Sequence, residues 1–386
     1  MFSELSYTLI SLDMEAKHIQ HTQKTQAHRP DFLLLTATVF LVLFGLLMIY
    51  NASPVTSERD FGDPTRLARL QIIWAVGGAA VAFLVYLFPY KIWEKLAPVI
   101  MLGSIVLLIA VFVPGIGLNI YGAQRWIGVG QLFSIQPSEF AKLGYIIYLS
   151  AFLSKKVKFW PFVILTGFLL GVLILQRDLG TAIIISLTGL LVYFLSGAPL
   201  AHFFLLIPAG LLSILGFIFS SGYRRERFLT FLNPGSDPQG AAYHINQILI
   251  ALGSGGWFGV GLGQSRQKYG YIPEITTDSI FAVIGNELGF FGSLIFICLL
   301  FLVVFRAFKI ASHLPDRFGQ LLASGIGIWI GLQVFINLSG MLAMLPLTGV
   351  PLPFISYGGS SLISIFLAVA VLLQLSKHTA NETKQN

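Results

Sequence analysis

Residues 32–50 read FLLLTATVFLVLFGLLMIY, nineteen positions without one charge. A bilayer crossing takes about 20 apolar residues, so this run is long enough to span a membrane as a helix. It lacks the every-second-residue alternation of a barrel strand, and only helices and closed barrels satisfy their backbones inside lipid. No small-residue cleavage site accompanies it, so it reads as a retained span and not a removed leader. Similar runs return at 70–89, 96–114, 137–153, 159–176, 179–196, 199–220, 279–305, 318–345 and 359–376. The ten stretches predict an all-α integral membrane protein with ten transmembrane helices over 31–376, flanked by polar tails at 1–30 and 377–386.

Composition agrees. Of 386 residues, 55% are hydrophobic, against 24 basic and 17 acidic side chains, and the mean hydropathy is +0.80. So much apolar surface cannot be buried internally, which excludes a soluble enzyme, a disulfide-stapled secreted domain and a disordered hub. Cys298 is the single cysteine and has no partner for an internal disulfide. The net charge of +7 is spread along the chain, so no nucleic-acid footprint is present.

An even number of spans puts both termini on one side. Lys91, Lys95, Lys155, Lys156, Lys309 and Lys377 fall on that side, whereas Lys268 falls opposite and Lys142 within a span. The positive-inside rule then makes the termini cytoplasmic. Arginines follow a different pattern, with Arg59, Arg66, Arg125, Arg177, Arg224, Arg225 and Arg227 all outside. The cytoplasmic connections are short. The outer ones include 51–69, 115–136, 346–358 and a large loop, 221–278, between spans seven and eight. The working face therefore points outward. No GxxxxGK[ST] occurs and no cytoplasmic segment would hold a nucleotide domain, so no nucleotide cofactor is expected.

Glu139, Lys142 and Glu287 are the charged residues inside spans, and intramembrane charges are functional candidates by default. Glu139 and Lys142 stand three apart on one helix face; Gln136-Pro137-Ser138-Glu139 also suits an ordinary helix start. Tyr223-Arg224-Arg225-Glu226-Arg227 offers guanidinium groups to a diphosphate or, equally, to lipid headgroups. The stretch 253–263 (GSGGWFGVGLG) reads as a flexible, half-inserted interfacial loop anchored by Trp257 and Phe258. Asp278 closes the large loop at the membrane boundary. There it suits either an N-cap or a general base for a sugar hydroxyl. His18 and His21 form the only close histidine pair, so no metal-ligand cluster is visible. Neither a G-x-S-x-G elbow nor a Ser-His-Asp set appears.

Several blocks, in order, resemble the SEDS family (FtsW, RodA, SpoVE) of ten-span peptidoglycan polymerases. They are GAQRWI (122–127), QPSEFAK (136–142), QRDLGT (176–181), GLGQSRQK (261–268), YIPE (271–274) running to Asp278, and PFISYGGSS (353–361). The resemblance implies polymerisation of lipid II, a disaccharide-pentapeptide on undecaprenyl diphosphate, at the outer face of the bacterial cytoplasmic membrane. It puts the family's essential aspartate on Asp278, which deprotonates the acceptor GlcNAc 4-hydroxyl for attack on the donor MurNAc C1. Arg125 and the arginines of 224–227 would bind the diphosphate, and Glu139 and Lys142 match the family's polar pair. Gln247, Lys268, Ser356 and Ser360 complete the substrate-binding candidates. A divalent cation, Mg or Mn, is implied at the diphosphate, with ligands unknown. A class B penicillin-binding transpeptidase and other divisome proteins are the implied partners. The GLGQSRQK block is closer to FtsW and SpoVE than to RodA, so septal synthesis is expected over elongation.

The chain departs from the pattern at four positions. Arg177 replaces the proline of QPDLG, Thr276 the histidine of HTD, Ser279 the phenylalanine of TDFIFA and Asn286 the first glutamate of EELG. The second and fourth changes are expected to remove polar neighbours of Asp278. A lipid II flippase acting through Glu139, Lys142 or Glu287, and a scaffold without chemistry, are the alternatives; both would tolerate Asp278→Asn.

Overall fold

The computed structural model describes residues 29–379 apart from 121–122, 130–132, 220–221, 233–241 and 271. Among the described residues are thirteen α-helices. They are α1 (Phe32–Ala52), α2 (Pro54–Phe61), α3 (Arg66–Leu87), α4 (Lys91–Ala110), α5 (Pro137–Leu153), α6 (Phe159–Leu175) and α7 (Leu179–Leu195). After them come α8 (Leu200–Phe219), α9 (Gly222–Leu232), α10 (Tyr243–Gly255), α11 (Ile280–His313), α12 (Arg317–Met341) and α13 (Gly359–Ser376). Seven are long and apolar enough to cross a membrane: α1, α3, α4, α8, α11, α12 and α13. The remaining expected spans, α5, α6 and α7, have 17 residues each. At 1.5 Å per residue they rise about 26 Å, at the lower limit for a crossing.

Burial sorts the helices. α12, α13 and α5 are enclosed nearly all round, while α8 contributes no buried residue. The large apolar side chains on the outer surfaces of α3, α4 and α8, such as Phe83, Val99 and Phe204, are exposed, as expected where lipid replaces water as the neighbour. Aspartates start several helices by accepting from the first turn. Asp31 takes the Leu34 N–H, Asp178 that of Thr181 and Asp316 that of Gly319, each satisfying a donor that the helix itself leaves orphaned.

The lysine-rich end is tied by side chains. Arg306 grips Asp31 at 2.6 Å, and Ser376 Oγ accepts from Asp31 N. Gln374 donates to the Val85 and Phe88 carbonyls and accepts from Trp93 Nε1, while the Tyr90 hydroxyl donates to Asp316. The opposite end carries the long connections, and two of them hold more structure than expected. Residues 115–136 form an antiparallel sheet, β1 (Gly117–Ile120), β2 (Ala123–Val129) and β3 (Phe133–Ile135), in the order β1-β2-β3. Among the described residues the fold is thus helical with one small sheet. The loop 221–278 contains α9, α10 and a 3-10 turn at Arg266–Lys268.

The glycine-rich stretch 253–263 is a built strap. α11 breaks at Gly289, where φ is 66° and ψ is −166°. Into this break the strap donates Val260 N to Asn286 O (3.0 Å) and Gly261 N to Glu287 O (3.1 Å). It accepts in return from Phe290 N and Phe291 N at the Gly256 and Trp257 carbonyls. Irregular backbone at membrane depth survives only where such bonds satisfy it. Trp257 meets Phe290 edge-on, Trp257 and Phe258 pack at a tilt on Phe291, and both stay exposed.

Glycine is required where the strap crosses. Gly259 has φ 80°, and a Cβ there would lie 2.1 Å from Glu287 O. Gly259→Ala should lower stability by at least about 2 kcal/mol, read as a fall in Tm in detergent. Gly253→Ala, on α10 with nothing within 4 Å of its added Cβ, should leave Tm unchanged.

Candidate active site

Asp278 sits on a tight turn anchored below by buried Ile272 and Ile275. Glu274 takes a left-handed φ of 50° and its carbonyl accepts from Thr277 N and Ser279 N, both at 3.2 Å. The N-cap of α11 is Ser279, so Asp278 stands one residue ahead of the capping position. Three successive carbonyls of the turn are held by three different groups. Tyr357 N donates to Thr276 O at 2.8 Å, Ser356 Oγ donates to Thr277 O, and Asn337 Nδ2 donates to Asp278 O at 2.8 Å. Peptide units are planar, so pinning the planes on both sides of Asp278 sets the direction of its side chain. The Asp278 carboxylate is half-buried. Its Oδ1 accepts from Thr277 Oγ1 at 3.3 Å, and its Oδ2 would lie 3.8 Å from a Cβ placed on Gly349. Thr277 Oγ1 also lies 2.9 Å from Glu274 Oε2, linking two carboxylates through one hydroxyl.

The connection 346–358 folds over this turn. Asn337 Nδ2 donates to Val350 O as well, at 2.8 Å, and Leu352 N donates to Ser356 Oγ at 2.8 Å. Tyr357 is half-buried beside the turn. Burial pushes its phenol up, against a smaller downward pull from Arg66, so it remains a neutral hydrogen-bonding group at physiological pH.

Glu139 and Lys142 lie one layer deeper, both 2% exposed and 2.8 Å apart. Lys142 Nζ also donates to Gln333 Oε1 (3.1 Å) and sits 5.3 Å from the Trp329 ring centroid. Ser364 donates to Glu139, and Gln333 Nε2 donates onward to Pro351 O at 2.9 Å. The pair therefore joins α5 to α12, α13 and the connection above Asp278. Glu287, 1% exposed, accepts from Asn51 Nδ2 at 2.6 Å and from Ser265 N at 3.3 Å. It ties α1 and the segment just after the strap to α11.

The other expected residues are placed as follows. Arg125, half-buried on β2, donates to Arg177 O, and Arg177 adopts φ 61°, a turn that proline cannot make. Ser360 Oγ accepts from Gln136 N at 2.9 Å. Gln136 and Ser138 both donate to Asp178. Lys268 Nζ donates to Asn51 Oδ1 (3.0 Å) and Gly263 O (2.6 Å). Gln247 is half-buried on α10, and Arg225 is exposed on α9, which packs on the end of α8 through Phe228 and Phe219. The side chains of Arg224 and Arg227 lie outside the described residues. Asn286 is eight positions past Asp278 and donates to Ala251 O and Ser254 Oγ of α10. It serves helix packing, about 12 Å along the axis from the turn, and is not a neighbour of the carboxylate.

Sequence reading missed Gln333, Asn337, Asn51 and His244. Gln333 and Asn337 carried a findable signal, two amides spaced four apart in an apolar helix, hence on one face. Among the described residues, no group of three or more His, Cys, Asp or Glu side chains could hold a metal. Among the described residues, the four non-glycine positions with positive φ, Arg177, Glu274, Ala343 and Phe354, all lie in connections at this end, where backbone strain gathers at working sites.

The geometry defines a polytopic helical membrane protein with a braced carboxylate at the mouth of its bundle. A family model described as "Cell cycle protein" (FTSW_RODA_SPOVE) matches residues 32–381, and the chain belongs to this family. "Stage V sporulation protein E" of Bacillus subtilis (strain 168) is 40% identical over 368 residues, covering 93% of this chain and 99% of that protein. "Probable peptidoglycan glycosyltransferase FtsW" of Nitrosococcus halophilus is 40% identical over 366 residues, covering 91% and 93%. A chain solved in work described as "Structural coordination of polymerization and crosslinking by a peptidoglycan synthase complex" superposes with a TM-score of 0.73 at 28% identity, covering 90% and 97%. The Thermus thermophilus "Rod shape determining protein RodA" gives 0.67 at 27%, covering 92% and 98%.

Two outcomes are expected. Lys142→Met leaves Glu139 buried without its partner and should cost about 3–5 kcal/mol, whereas the double variant Glu139→Gln/Lys142→Met should recover part of that loss; thermal unfolding of the three proteins checks it. Asn337→Leu strips the donor from two carbonyls and should destabilise by about 1–3 kcal/mol, measured in the same way.

Proposed function

We propose that this chain is a peptidoglycan glycosyltransferase that polymerises lipid II at the outer face of the cytoplasmic membrane, for septal synthesis. The observation that carries the reading is the pinned turn of Asp278, which holds one carboxylate half-exposed at the outer mouth of the bundle. α5, α6 and α7 are three further crossings, giving ten, with both termini cytoplasmic. The names of the relatives support the chemistry, and the FtsW and sporulation-protein names support the septal branch.

In the reaction, Asp278 accepts the proton of the acceptor 4-hydroxyl as that oxygen attacks C1 of the donor sugar. The C1–O bond to the diphosphate breaks, and the undecaprenyl diphosphate leaves with the bonding pair. General-base catalysis of this kind contributes about 10²–10⁴-fold. Arg125, the arginines of α9 and Gln247 bind the diphosphate; Ser356 and Ser360 act through the backbone they brace, and Lys268 through the strap. The described carboxylates form no cage for Mg or Mn, so a cation at this site would arrive on the diphosphate oxygens. A class B penicillin-binding transpeptidase crosslinks the strands and belongs with other divisome proteins to the working assembly. A flippase would need its intramembrane charges along an open path, whereas Glu139 and Lys142 are shut against each other.

The test uses purified chain with its cognate transpeptidase, the active serine of the latter disabled, and labelled lipid II. Wild type should yield glycan chains, and Asp278→Asn should reduce the rate at least about a hundredfold with an unchanged elution profile and Tm. Chains from Asp278→Asn at the wild-type rate would remove Asp278 from the chemistry.

A further inference from the structure

Two of the positions that depart from the family pattern, Ser279 and Asn286, start and end the first two turns of α11, and both bond to α10. His244 Nε2 and Ser279 Oγ are 2.8 Å apart. Asn286 Nδ2 donates to Ala251 O at 3.0 Å. Both pairs are separated by 35 positions, so the two helices run side by side in the same direction from the outer mouth inward. Gly255 closes the seam, since a Cβ there would come within 2.3 Å of Gly285 O. A phenylalanine at 279 would offer His244 no hydrogen-bonding atom, and a glutamate at 286 would have no N–H for the Ala251 carbonyl. The departures thus form a matched set with His244, facing one helix.

Ser279 is joined to Asp278 by a single peptide bond, and its hydroxyl makes no capping bond to α11. The hydroxyl instead meets the imidazole. Thr276 occupies the place of the family's histidine, and its own side chain is buried. A histidine still reaches this turn, but from α10.

We propose that His244 is a positioning residue for Asp278: its ring, bonded to Ser279 Oγ, holds the start of α11 so that the carboxylate meets the acceptor hydroxyl in reactive geometry. The proposal rests on the polymerase reading above. Misplacing a reacting group by about 1 Å can cost about a hundredfold in rate. An error in a general base is felt in the transition state and not in substrate binding, so it falls on kcat and leaves KM.

The experiment measures polymerisation rates against lipid II concentration, with the transpeptidase present, for wild type, His244→Leu, His244→Gln, Ser279→Ala and His244→Leu/Ser279→Ala. His244→Leu should lower kcat about tenfold with KM within about twofold. His244→Gln keeps an N–H for Ser279 and should stay within about threefold of wild type. The double variant should be no slower than His244→Leu, because both changes remove one interaction. Losses that multiply in the double variant, an unchanged kcat in His244→Leu, or a His244→Gln as slow as His244→Leu would each overturn the proposal. If His244→Leu fails to fold, Ser279→Ala carries the test, and a wild-type kcat there overturns it. A wild type that makes no chains sinks the polymerase reading itself, whereas an active wild type with indifferent variants sinks this proposal alone.

Discussion

The carbonyls of Thr276, Thr277 and Asp278 point to three separate donors, Tyr357 N, Ser356 Oγ and Asn337 Nδ2. Each bond alone contributes about 1 kcal/mol net. Together they fix consecutive peptide planes, and with them the direction in which the Asp278 side chain leaves the backbone. The donors come from α12 and from the connection that leads into α13, elements distant in sequence from the turn. Asp278 is therefore placed by the tertiary structure and not by the local preferences of its own loop.

That bracing needs a rigid support, and buried charge supplies it. An ammonium group enclosed to 2% exposure must be paired and hydrogen-bonded, and Lys142 finds Glu139 and Gln333. Gln333 passes the connection on to Pro351 O, one residue from the Val350 carbonyl held by Asn337. α5, α12 and the 346–358 connection thus share one polar chain ending at the turn of Asp278. A similar rule governs the strap. Its backbone meets α11 at the Gly289 break, and each described strap N–H from Gly259 to Gly261 finds a carbonyl on α10 or α11.

Hydropathy made the helices legible, because a crossing segment must be apolar throughout whatever it packs against. The motif blocks located Asp278, Glu139, Lys142 and Arg125, since those residue types are costly or unusual where they stand. What stayed hidden depends on pairings across the chain. β1–β3 are runs of only four, seven and three residues, too short for their alternation to stand out, and α10 looks like loop because it ends in glycines, of which Gly255 serves close approach to Gly285 and Asn286. The glycine-rich run suggested flexibility, yet those glycines are what allow the strap to lie against an unwound turn. Asn337 was half legible. With Gln333 it puts two amides on one face of an apolar helix, but its two carbonyl partners, Asp278 O and Val350 O, lie on other segments.

In an up-and-down bundle the positive and negative ends of neighbouring helix dipoles largely cancel at each face. α10 departs from that pattern, since it starts alongside α11 and runs in the same direction. Two N-termini, those of α10 and α11, therefore open side by side next to Asp278, and their effect is confined to about a turn. For a transfer from a lipid diphosphate, negative charge grows on the leaving group, and a leaving group that is stable as an anion needs no proton from a general acid. This removes the need for the second carboxylate that glycoside hydrolysis requires. Under the proposed reaction, one base at the end of the pinned turn, with a locally positive backbone beside it, is then enough.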